Sequence, residues 1–135
     1  VSGPLLDRID IHVEVSSVDY SDLSSKEVSE TSEQIRKRVV SARNLQLNRY
    51  EKINIKCNSK LSSNLVQTYC AMTESADKIL KSAFNKLGLS ARTYDKILKV
   101  ARTIADLDQK EVIDSKHIAE ALQFRNLDRK YWQKF

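Results

Sequence analysis

Glycine and proline are nearly absent: Gly3, Gly88 and Pro4 are the only three in 135 residues. The turn chemistry that builds hairpins and sandwiches is therefore missing, and a mainly α fold is expected. Cysteine is almost as scarce. Cys57 and Cys70 have no partner at metal-ligand spacing, and His12 and His117 lie far from them in sequence. That excludes a recognisable zinc motif and leaves reduced, structural thiols in a cytoplasmic protein as the expectation. No apolar run is long enough to cross a bilayer, so no membrane partner is expected. No secretory or transit segment is legible at the N-terminus. The two glycines are too far apart for G-x-x-x-x-G-K-[ST], so the chain has no phosphate-cradling P-loop. Neither a Ser/His/Asp nor a Cys/His arrangement has credible spacing, and activity of this chain alone is not expected.

Charge and helical periodicity are what remain. Lysine and arginine outnumber the acids 23 to 18, a net charge of +5 that permits a polyanionic partner without demanding one. Ile9, Ile11, Val13 and Val15 alternate with polar residues, which reads as one half-buried strand that needs neighbours. A polar stretch follows over 16–24. Ser24 and Glu27 have capping-box spacing, opening a long helix to about Arg49 with Ile35, Val39, Ala42 and Leu45 or Gln46 inward. A connection of mixed character covers 51–60.

From Leu61 onward the pattern is persistently helical. A short helix is expected over 62–70, and a second is capped by Thr73 and closed at Gly88. A third starts at Ser90, with Tyr94, Ile97, Leu98, Ala101, Ile104 and Ala105 inward. Asp95–Lys99 and Arg102–Asp106 read as i, i+4 pairs on its wet side. A last helix is capped by Asp114, with Ile113 and Ile118 as a staple and Ala119, Ala121 and Leu122 inward. The expected architecture is a helical bundle over 61–125, preceded by one long helix with its connection (21–60) and a lone N-terminal strand within 1–20. A basic tail (126–135) follows. The opening "VSGPLLDRIDIHVEV" reads as the middle of a fold, which suggests a piece of a longer chain.

Three features could carry chemistry. Arg92 sits in the first turn of the Ser90 helix, where the free N–H groups and the helix dipole disfavour a cation. It is either a solvated cation, one paired with a nearby acid, or one arm of a phosphate site. Arg8, between Asp7 and Asp10, either pairs with a carboxylate or projects across a subunit boundary towards a nucleotide. The run Arg36, Lys37, Arg38, Arg43 and Arg49 complements the negative end of its own helix, or else tracks the phosphates of a nucleic acid. Tyr50 is its one interleaved aromatic, which favours the first account. Tyr69 and Met72 read as core.

The blocks "SGPLLDRIDIHVEV", "RVVSARNLQLNR", "LSARTYDKILKVARTIADL" and "IDSKHIAEALQFRNLDR" together resemble the C-terminal part of magnesium-chelatase-like AAA+ ATPases, of the bacterial competence-protein type. The resemblance spans nearly the whole chain. It implies that an α/β nucleotide-binding core precedes this chain, which would hold the last core strand and the α-helical lid. It also implies a homo-oligomeric ring, usually a hexamer, with ATP and Mg²⁺ as cofactors of the intact protein and none for this part alone. By resemblance, Arg8 matches the arginine finger completing a neighbour's ATP site, and Arg92 matches the sensor-2 arginine that reaches the γ-phosphate. Walker A, Walker B and sensor 1 would lie upstream. The competence branch is similar to DNA helicases of branch migration, whereas the chelatase branch drives metal insertion into a porphyrin with partner subunits. The chain has no acidic metal-ligand cluster, which favours the DNA-processing branch. A nucleic-acid-binding helical module, a regulatory piece of a magnesium chelatase and a histone-like dimerisation element over 103–122 stand as alternatives.

Overall fold

The computed structural model describes residues 3–125, and the expected basic tail at 126–135 lies outside them. Seven helices occur among the described residues: α1 (Gly3–Arg8), α2 (Tyr20–Ser24), α3 (Ser32–Arg49), α4 (Ser63–Tyr69), α5 (Glu74–Leu87), α6 (Ala91–Leu107) and α7 (Ser115–Gln123). A 3₁₀ turn at Asn58–Lys60 joins α3 to α4. No described helix is long and apolar enough to cross a membrane.

The N-terminal caps explain where the helices begin. The hydroxyls of Thr73 and Ser90 each accept from the backbone N–H three residues on, as expected for α5 and α6, and Ser62 does the same for α4. Gly88 closes α5 at φ +60°, the left-handed geometry that a side chain disfavours. The long helix starts later than Ser24 and Glu27 suggest. Thr31 and Gln34 form the reciprocal capping box, and Ser24 instead ends the short α2. Both spacings satisfy the same motif, and the Thr31 box is the one followed by an unbroken helical run.

Helix α6 is the axis of the bundle: α7, α3, α4 and the 3₁₀ turn all pack on it, and α5 packs on α7. Ile97, Leu98, Ala101 and Ala105 bury its apolar face against Leu61, Val66, Leu80, Ile113, Ile118 and Ala121. Tyr69 and Met72 pack on this core as expected, Tyr69 edge-to-face with Tyr50 at 5.1 Å. The staple partners Ile113 and Ile118 are both fully buried, whereas Ala119 faces solvent. The chain entering α5 is stitched to the chain entering α7, with Ile113 N donating to Ala71 O at 3.0 Å and Thr73 N to Ile113 O at 2.9 Å. Both cysteines are free.

Two further expectations are corrected. The alternating segment Ile9–Val15 forms no strand among the described residues, and Val13 and Val15 stay exposed. A strand is held by ladder bonds to a neighbour, and the described residues offer it none. The second correction concerns Arg102 and Asp106. They do form an i, i+4 pair, but it is interior: their side chains are 1% and 0% exposed. Asp106 also accepts from Arg49 Nη1 at 3.1 Å and from Asn58 Nδ2 at 2.9 Å, while Arg102 donates to the carbonyls of Lys110 and Glu111 at 2.5 Å. Asn58 takes the Tyr50 hydroxyl at 2.6 Å and gives its N–H to Gln46 Oε1 at 2.9 Å. This closed polar network fastens the end of α3 to α6. It also explains the stripe of α3, where only Ala42 and Gln46 are buried and Ile35 and Val39 are half out in solvent.

A histidine occupies the third position of the α7 capping box. Asp114 N–H donates to His117 Nδ1 at 2.9 Å, which makes Nδ1 an acceptor and leaves Nε2–H to donate to Asp108 at 2.9 Å. Hydrogen bonds from His117 and then Lys116 hold the Asp108 carboxyl down at about 2. A depressed folded-state value contributes stability above the ordinary carboxylate range, lost as pH falls through the folded value. Asp108→Asn is therefore expected to flatten the decline of Tm between about pH 4 and pH 2 relative to wild type, read by thermal melts across that range. Parallel wild-type and variant curves would contradict it.

Candidate functional site

The site is assembled at the N-terminus of α6. Ser90 caps the helix, and Arg92, its second residue, stands 58% exposed. Helix α1 is laid against this end. Leu6 is buried, and the Asp7 carboxylate accepts from Thr93 Oγ1 at 2.6 Å and from Ser90 Oγ at 3.3 Å. Its other oxygen is 3.9 Å from the Arg92 guanidinium. The Thr93 hydrogen bond, opposed by partial burial and aided by Ser90, Arg125 and Arg92, holds the Asp7 carboxyl below its ordinary range. An anion at a helix N-terminus satisfies both the dipole and the cation there.

Two further straps fix the same segment. One turn along α6, Lys96 Nζ donates to Arg8 O at 3.0 Å and pairs with the Asp10 carboxylate. From the other side Arg125, just beyond α7, donates to the carbonyls of Leu6, Ile9 and Asp10, and His12 N donates to Phe124 O at 2.7 Å. The Arg8 backbone is thereby pinned while its side chain stays exposed.

The consequence is a shallow, open depression of about 460 Å³ lined by Arg8, Arg92, Asp95, Lys96 and Lys99. The two arginines singled out in the sequence, 84 positions apart, thus line one surface feature. Four cations face one carboxylate there, and Asp95 already accepts from Ser63 Oγ at 2.5 Å. Such a surface suits a multiply charged anion, and the guanidiniums suit its oxygens in particular. Sequence reasoning missed Asp7, Lys96 and Lys99. Lys96 and Lys99 follow Arg92 by four and seven residues, a helical spacing that places all three on one face.

The candidate nucleic-acid residues do not converge. Arg36, Lys37, Arg38 and Arg43 are exposed on α3, Lys37 beside Glu33 at 3.5 Å and Arg38 beside Glu30 at 2.9 Å. Arg49 turns inward to Asp106, and although burial opposes its charge, the Asp106 hydrogen bond raises its pKa and keeps it protonated.

Residues 29–125 match the family described as magnesium chelatase, subunit ChlI C-terminal. The chain is 42% identical over 130 residues to competence protein ComM of Haemophilus influenzae, covering 96% of this chain and 25% of that protein. It is 37% identical over 130 residues to the uncharacterized protein YifB of Escherichia coli K12, with the same coverage of each. Identity to the uncharacterized protein Rv2897c of Mycobacterium tuberculosis H37Rv is 32% over 125 residues, covering 93% of this chain and 25% of that one. The chain thus spans about a quarter of the length of these relatives. On the family match and on these identities, this chain belongs to the magnesium chelatase, subunit ChlI C-terminal family.

Proposed function

We propose that the chain is the helical lid of a ring-forming AAA+ ATPase, in which Arg8 and Arg92 meet the phosphates of ATP held by residues outside this chain. The observation that carries the reading is the shared depression: two arginines distant in sequence, with Lys96 and Lys99, bordering one open space. Arg92 reads as the sensor-2 arginine and Arg8 as the arginine finger. Both work by stabilising charge on a transferring phosphoryl group. Remodelling of DNA by the whole protein is the companion reading. Similarity to a competence protein supports it. Among the described residues no group of three or more His, Cys, Asp or Glu side chains could hold a metal; the Mg²⁺ that accompanies ATP would be held by the nucleotide phosphates and by residues outside this chain.

The test uses inorganic tripolyphosphate as a probe of the depression. In low salt it is expected to shift the backbone amide resonances of residues 90–99 and to bind roughly tenfold more weakly to Arg92→Gln, the loss of one charged hydrogen-bonding partner. Binding that is indifferent to Arg92, or absent at low salt, would overturn the reading.

A further inference from the structure

Resting on that reading, we infer that Asp7 is an internal stand-in for phosphate: its carboxylate faces Arg92 at the start of α6, and its displacement by a bound anion releases the segment that carries Arg8.

The geometry has three parts. Asp7 takes both hydroxyls at the start of α6, Thr93 Oγ1 at 2.6 Å and Ser90 Oγ at 3.3 Å, and faces Arg92 at 3.9 Å. An oxyanion at a helix N-terminus beside an arginine is the arrangement a phosphate oxygen would adopt. Asp7 also immediately precedes Arg8, so whatever moves one moves the other. Finally, the remaining straps hold main chain: Lys96 binds Arg8 O, and Arg125 binds the carbonyls of Leu6, Ile9 and Asp10. Lys96 itself lines the depression, so an incoming anion competes for two of the groups that tie this segment down.

Competition for the same cation makes the effect reciprocal. If the anion weakens the hold on the segment, loosening the segment strengthens the anion by the same factor. The device therefore couples occupancy at Arg92 to the freedom of Arg8. A simple cationic patch would bind phosphate without moving α1. Asp7 is thus a positioning residue, since it acts on the phosphate through Arg92.

The experiment measures tripolyphosphate affinity and amide hydrogen exchange on the chain. The reporter is the His12 amide, which donates to Phe124 O at 2.7 Å only while the segment is docked. Saturating tripolyphosphate is expected to speed exchange at His12 in the wild type. Asp7→Asn is expected to bind tripolyphosphate roughly two- to fivefold more tightly, the scale of one exposed ion pair. Its His12 exchange is expected to be fast already and insensitive to the anion. Asp95→Asn removes an equal charge from the rim without touching α1, so it is expected to tighten binding while leaving His12 exchange slow. The inference is overturned if tripolyphosphate leaves wild-type His12 exchange unchanged or slows it. It is also overturned if Asp7→Asn and Asp95→Asn behave alike. In either case binding that still depends on Arg92 would leave the phosphate reading standing, whereas loss of that dependence would remove both.

Discussion

Arg92→Ala, placed in a protein of the relatives' full length, is expected to lower ATP turnover by roughly 10³–10⁵, the range an arginine contributes when poised on a transferring phosphoryl group. The expectation follows from position and exposure. Arg92 stands 58% exposed at the start of α6 and is not among the buried residues. Removing it therefore leaves the bundle intact, and Tm should move little. The acid that faces it at 3.9 Å, Asp7, keeps the hydroxyls of Thr93 and Ser90. A large loss of turnover with an unchanged melt would separate a chemical role from a structural one. Turnover within a few-fold of wild type would remove Arg92 from the phosphate.

Asp106→Asn is expected to have the largest effect on folding, about 3–5 kcal/mol, because it strips the counter-charge from one guanidinium sealed from water and from a second that is largely buried. Asp106 is completely buried, Arg102 is 1% exposed and Arg49 is 19% exposed, and Asp106 pairs with both. The amide keeps the shape but cannot accept from both arginines and from Asn58 while finding acceptors for its own N–H₂. Urea unfolding measures the loss. The end of α3 should loosen first, since Arg49 and Tyr50 reach α6 through this network. A loss below about 1 kcal/mol would mean that the network is no more than a set of surface pairs.

Much of the bundle was legible because its signals are local. Ser62, Thr73, Ser90 and Asp114 each satisfy a backbone N–H a few residues on, and Gly88 sits where only a left-handed residue closes the helix. The interior ion pair was not legible in that way. An i, i+4 Arg–Asp pair looks the same on a wet face or a dry one, and what decides between them is the arrival of Arg49 from 57 residues away. One hint was present: Arg102 follows buried Leu98 by a single helical turn, and Asp106 by two. Ile9–Val15 failed for the complementary reason. Alternation specifies which faces a strand would show, but a strand also needs a neighbour to pair with.

For the site, Arg92 was legible as a local anomaly, a cation where helix physics favours an anion. Arg8 was singled out beside it, but its own residues left the choice open, because between Asp7 and Asp10 it could equally be a paired surface arginine, and only the resemblance gave it a role. Only the docking of α1 against α6, through Leu6, Asp7 and Lys96, brings it to the same depression. Long-range convergence of this kind leaves no spacing to read.

The central claim, that Arg8 and Arg92 serve one phosphate group together, is tested most directly by a double-mutant cycle of tripolyphosphate affinity with Arg8→Gln, Arg92→Gln and the pair. The account predicts that each single change weakens binding and that the double change costs clearly less than the sum of the two, because both lose the same anion. Strict additivity, or full affinity in either single variant, would contradict it.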